Sequence, residues 1–127
     1  MTTITAAEYR DMLAKPKRGN KYNAQKVEID GHKFDSKAEA RYYVYLKDRA
    51  KKGEIYGLEL QRPFALIGPD GTLIATFRAD FAFWDQTEDR FRVIDVKGGK
   101  ATQTDAFRMK KRLMKSLLGI DVEVVEA

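Results

Sequence analysis

The sequence contains no cysteine and a single histidine, His32. Disulfides, thiolate zinc sites and cysteine nucleophiles are therefore excluded, as is any mechanism that needs two imidazoles. No apolar run approaches the ~20 residues of a membrane span, and the N-terminus lacks the apolar core of a secretory signal. A cytoplasmic protein with no membrane partner is expected. At 127 residues the chain suffices for one compact domain and is short for two. Its composition, 43% hydrophobic and 34% charged, is that of a globular protein rather than a disordered one.

The net charge is +5, and its distribution says more than its size. Residues 15–26 carry Lys15, Lys17, Arg18, Lys21 and Lys26 with no acid among them. Residues 97–115 carry Lys97, Lys100, Arg108, Lys110, Lys111, Arg112 and Lys115 against Asp105 alone. Both patches could contact phosphate. Both also fit a solvated helix face and a basic linker, and charge does not choose between these readings.

Thr5 to Ala14 reads as a short helix, since Thr5 followed by Glu8 has capping-box spacing. Pro16 and Gly19 end it, so residues 1–20 are expected to be an N-terminal helix and basic arm ahead of a domain over 21–127. Val27–Ile29 and His32–Phe34 flank Asp30-Gly31 as a small hairpin. Ser36 to Lys52 is a helix with Tyr43, Leu46 and Ala50 on a buried stripe. Glu39 falls on that same inward face. Gly57 to Ile67 is a strand broken by Pro63, which suggests a sheet edge or a bulge. In Thr72 to Trp84, Phe77, Ala79, Phe81 and Phe83 alternate with Thr76, Arg78, Asp80 and Ala82. Phe91 to Gly98 follows, then a helix over Thr104 to Leu118 with Phe107, Leu113, Met114, Leu117 and Leu118 inward. Gly119 closes it, and Ile120 to Val125 is a last strand. The order helix, three strands, helix, strand makes an α/β domain with a mixed sheet.

Chemistry concentrates in Val93-Ile94-Asp95-Val96-Lys97-Gly98. Asp95 and Lys97 project to the same side of a strand, and neither is a good strand former. A carboxylate beside an ammonium suits phosphodiester hydrolysis: the acid holds a hard divalent cation, while the lysine orients the attacking water and offsets charge on the phosphate. Asp80 on the preceding strand falls within a step or two of Asp95 if their polar faces coincide. Two converging carboxylates need a cation between them, or one must stay protonated. Glu39 either joins them or closes a capping box by bonding back to the Ser36 amide. Gln61 lines this site or faces solvent. Trp84, Phe81 and Phe83 are core or hairpin edge, and His32 beside its turn is a surface residue.

Ser36-Lys37-Ala38-Glu39-Ala40 on a helix, Ala79-Asp80-Phe81 on a strand and Asp95-Val96-Lys97-Gly98 on the next strand together resemble the PD-(D/E)XK nuclease superfamily. More closely, the chain is similar to small phage-encoded members related to junction-resolving endonucleases. That likeness runs from Lys21 onward and includes Lys21-Tyr22-Asn23-Ala24, Phe34-Asp35-Ser36 and Leu60-Gln61-Arg62-Pro63-Phe64. Ala79 stands where the name-giving pattern has proline. The resemblance implies a restriction-endonuclease-like αβββαβ core with its mixed sheet flanked by helices. It implies magnesium or manganese held by Asp80, Asp95, Glu39 and the Val96 carbonyl, with Lys97 as the catalytic lysine. It also implies DNA, branched junctions included, as substrate, Arg108, Lys110 and Lys111 as phosphate contacts, a homodimer, and residence in a bacterial host. Two competing readings are a DNA-binding or packaging module that keeps the fold without cutting, and a phage assembly protein.

Overall fold

The computed structural model describes residues 3–7, 26–97 and 103–126. Strand β1 (Thr3–Ile4) runs parallel to β2 (Val27–Ile29), which forms a hairpin with β3 (His32–Phe34). Asp30 and Gly31 take φ of 53° and 82° at its tip, the pair of left-handed residues that a two-residue hairpin turn requires. Of the helix expected over Thr5–Ala14, Ala6 and Ala7 are helical. Its remainder, the basic arm, Lys21-Tyr22-Asn23-Ala24, Gly98 and Lys100 lie outside the described residues. The hairpin has the expected bounds; β1 beside it was not expected, because a two-residue strand carries no periodicity.

The main body follows the expected order. Helix α1 (Lys37–Lys51) precedes β4 (Ile55–Ile67), β5 (Leu73–Asp85) and β6 (Arg90–Lys97), then α2 (Asp105–Leu118) and β7 (Val122–Glu126). The four strands lie in the order β4-β5-β6-β7, antiparallel except for the parallel β6–β7 pair. The fold is thus α/β with a mixed sheet. One core on the α1 side gathers Tyr43, Leu46, Phe81, Phe83 and Ile94. A second gathers Phe64, Phe77, Ala79, Val93 and Met114, with Phe107, Leu113 and Leu117 packed on it from α2. No helix among the described residues is long and apolar enough to cross a membrane.

Three expectations are corrected. Pro63 does not break β4; it pairs with Arg78 inside a continuous strand, which β4's place at the sheet edge permits because proline lacks a ladder donor. Leu118 is 42% exposed rather than inward. Gly119 turns left-handed there (φ 69°), and Ile120, whose amide donates to the Met114 carbonyl, packs on the core in its place. Finally, Phe77, Ala79, Phe81 and Phe83 do not share one core, as simple alternation requires. The first two join the α2 side and the last two the α1 side, so the strand changes face between them, at Asp80. Leu60 and Phe64 part in the same way on β4, on either side of Gln61, whose φ is 52°.

Candidate active site

The site lies where two strands separate. The β5–β6 ladder ends at the pair Phe81↔Ile94, and one further step in that register would set Asp80 against Asp95. There the Asp80 side chain replaces the ladder: its Oδ2 accepts the Val96 backbone N–H at 2.8 Å. Beyond this point β6 continues paired with β7 through Asp95, Val96 and Lys97. A fork between β5 and β6 thus holds the two aspartates beside each other without a covering strand.

Asp95 is 6% exposed, and its buried Oδ2 has no hydrogen-bond partner. Lys97 Nζ stands 2.8 Å from that oxygen, at ion-pair distance but not in the direction of a hydrogen bond. The same ammonium sits 4.1 Å from the centre of the Phe107 ring, which holds it over α2. The i, i+2 placement read from the strand is therefore present in space.

Glu39 reaches the fork from α1. Ser36 caps this helix, its Oγ accepting the Glu39 N–H at 3.1 Å, so one half of the capping box is formed. The Glu39 carboxylate turns inward instead of completing the other half with Ser36: it is 6% exposed, and Oε1 accepts Gln61 Nε2 at 2.7 Å. The same Nε2 donates to Asp80 Oδ1 at 3.1 Å. Gln61 therefore lines the site, the alternative that its sequence context left open.

These contacts make the acids resist ionisation. Burial, followed by the charge of Asp80 and a hydrogen bond with it, pushes Glu39 up to about 7. Burial also raises Asp80; the Val96 amide opposes this, and the charge of Asp95 adds to it. Glu39 and Asp80 are thus two acids with raised pKa values, joined through the Gln61 amide.

Carboxylate oxygens are the donor type that a hard divalent cation takes. Glu39 and Asp80 meet through Gln61, Asp95 lines a neighbouring cleft, and one buried Asp95 oxygen lacks a donor. As they stand, no three His, Cys, Asp or Glu side chains among the described residues form a closed metal-binding group. The Gln61 amide, the Val96 backbone N–H and the Lys97 ammonium make the polar contacts with these oxygens. Val96 is tied to the site through its amide; its carbonyl, the ligand that the resemblance implies, makes no contact that bears on this.

The cations on α2 divide between two clefts. Lys110 lines a cleft of about 450 Å³ together with Asp95, Arg78 and Phe107. Arg108 and Lys111 instead line one of about 580 Å³ beside β7, and Arg108 is paired with Asp105 at 3.2 Å. Arg78, to which the sequence assigned no site role, joins Lys110 in the cleft of Asp95. A third cleft, about 370 Å³, opens on Glu39 and Gln61 between His32 and Leu60.

Residues 19–118 match the family described as protein of unknown function DUF1064. The chain belongs to that family. The match covers every residue of the fork, from Glu39 through Lys97 and on along α2. No curated protein and no solved structure matches this DUF1064 chain.

Proposed function

We propose that this DUF1064 protein is a magnesium- or manganese-dependent DNA endonuclease with a restriction-endonuclease-like core of the PD-(D/E)XK kind. In its finer form the proposal names branched DNA as substrate and a homodimer as the acting species. The observation that carries it is the fork: Asp80 and Asp95 side by side, Glu39 directed at them, and Lys97 Nζ 2.8 Å from Asp95. Buried like charges held together by the fold are unfavourable unless a ligand uses them.

Asp80, Asp95 and Glu39 would hold the cation. A bound divalent ion supplies Lewis-acid stabilisation of the charge that builds on the phosphate. Lys97 keeps a positive Nζ at the mouth of the Asp95 cleft, where it orients a water toward phosphorus and donates to a phosphate oxygen. Glu39, poised at about 7, can take up or release a proton near neutral pH. Lys110 and Arg78 draw the phosphate backbone into the cleft that contains Asp95.

The test is cleavage of four-way, flap and linear duplex DNA with magnesium or manganese, repeated with Asp95→Ala and Lys97→Ala. Wild type is expected to cut, with activity falling on the order of a thousandfold in Asp95→Ala and at least about a hundredfold in Lys97→Ala. Metal-dependent cutting that survives Asp95→Ala would overturn the site assignment. A second reading is binding of DNA without cutting. Retention of duplex by wild type, with no cleavage under either ion, would select it.

A further inference from the structure

We propose that Gln61 is a positioning residue, a tether that holds Glu39 and Asp80 together as one unit facing the fork. The inference rests on the nuclease reading only for what the tethered pair does, not for the tether itself.

The backbone carries the first part of the argument. Among the described residues, the non-glycine positions with positive φ are Asp30, Gln61 and Asp89. Asp30 and Asp89 sit at hairpin turns, where aspartate tolerates this conformation well. Gln61 lies inside β4, and glutamine has no such preference. Four residues earlier the same strand meets its other left-handed position with Gly57, the residue that adopts it without strain. A site needing only the bend would be served by glycine. Here the strained backbone delivers a side chain, and strain of this kind clusters where a group must be held in place.

The side chain carries the second part. Leu60↔Phe81 and Arg62↔Ala79 are paired, so Gln61 lies directly across from Asp80. Its Nε2 reaches Glu39 Oε1 at 2.7 Å and Asp80 Oδ1 at 3.1 Å, joining helix α1 to strand β5 through one amide. It engages one oxygen of each carboxylate and leaves Glu39 Oε2 outside its grasp. A neutral donor bridging two acids opposes their repulsion without adding the charge that would displace a cation. This is the part played by groups that orient metal-binding carboxylates from behind.

Gln61→Met keeps the side chain's length and removes its donors, while Gln61→Gly removes both side chain and strain. Calorimetric titration with manganese should show binding weakened about 10- to 100-fold in both variants. The metal-free melting temperature of Gln61→Gly should be no lower than that of wild type. Manganese affinity within twofold of wild type in both variants would overturn the role. The tether is read separately in metal-free wild type from the Gln61 side-chain amide signals in a nitrogen–proton NMR spectrum. Slow solvent exchange and a shift of these signals in Asp80→Asn are expected. Signals like those of a free glutamine, indifferent to Asp80→Asn, would overturn the tether. A wild type that binds neither manganese nor magnesium overturns the nuclease reading instead, and the amide signals still decide whether Glu39 and Asp80 are joined.

Discussion

Asp80, half-buried, and Asp85, fully buried, lie on the same strand, and the fold treats them in opposite ways. Asp85 is 0% exposed and saturated with donors. Arg49 approaches at 3.1 and 3.3 Å, Arg92 at 2.9 Å, the Thr87 amide and hydroxyl at 2.9 and 2.6 Å, and the Glu88 amide at 3.2 Å. Burial alone would raise its pKa; the hydrogen bonds from Arg49, Thr87 and Arg92 reverse this and hold it well below the usual carboxylate range. Arg92 also grips Glu123 at 2.9 and 2.7 Å, so α1, β5, β6 and β7 meet at one charged knot. Among the described residues, the hydrogen bonds to Asp80 come from neutral groups, Val96 N–H and Gln61 Nε2, and it faces the acids Glu39 and Asp95. The difference lies in the partners: cations make a buried acid a fastener, whereas other acids make it a store of repulsion that a ligand can release.

The largest effect should come from cutting the fastener. Asp85→Ala leaves Arg49 and Arg92 facing each other without their shared acid. A loss of about 3–5 kcal/mol in urea unfolding is expected, the usual result of removing one partner of a buried pair. A loss below about 1 kcal/mol would mean that the knot behaves like a surface ion pair and would erase the contrast.

Acid should act on the two regions with opposite sign. Glu39 sits at about 7 in the folded chain against an ordinary value of 4.5, so its contribution to stability is fully present below 4.5 and is lost as pH rises toward 7. Asp85 is depressed in the folded chain, so its contribution is present above the ordinary aspartate value near 4 and is lost as pH falls below it. Unfolding free energy in chelator should therefore rise from pH 7 to pH 5, by at most about 3 kcal/mol, and fall below about pH 4. Glu39→Gln should flatten the upper limb and Asp85→Asn the lower. Stability that declines steadily from pH 7 downward in wild type would contradict the raised Glu39.

The two regions also differ in how well the sequence discloses them. Asp95 and Lys97 were legible because strand alternation is local and both residues interrupt a β-branched run. Glu39 was legible as inward because its spacing to Tyr43 is helical, and its choice between cap and cluster was not, because the deciding partner is Gln61 on another strand. The change of face at Asp80 left no mark, since a left-handed backbone is signalled by glycine or asparagine and Gln61 is neither. The Asp85 knot was missed for a related reason: Arg49, Arg92 and Glu123 come from separate elements, and no periodicity records pairing over that range. Helix α2 was read in phase through Leu117 and not at Leu118, and which of its lysines shares a cleft with Asp95 depends on the sheet beneath it.

The smallest effect is the one that separates the two aspartates most sharply. Asp80→Asn keeps an oxygen for the Val96 amide and turns the atom that now accepts Gln61 Nε2 into a donor, which the Gln61 carbonyl oxygen can accept once that amide turns over. The substitution removes one of the like charges and, among the described residues, breaks no ion pair at Asp80. Metal-free stability near pH 7 should therefore increase, by about 1 kcal/mol, the direction expected where a site is strained for function. The same substitution at Asp85 strips the negative charge from two arginines and should destabilise. Manganese should raise the melting temperature of wild type and fail to raise that of Asp80→Asn, since the favourable binding that offsets the repulsion has lost its acid. If Asp80→Asn destabilised the metal-free chain as Asp85→Asn does, Asp80 would be a second fastener, and the fork would have no stored repulsion for a cation to relieve.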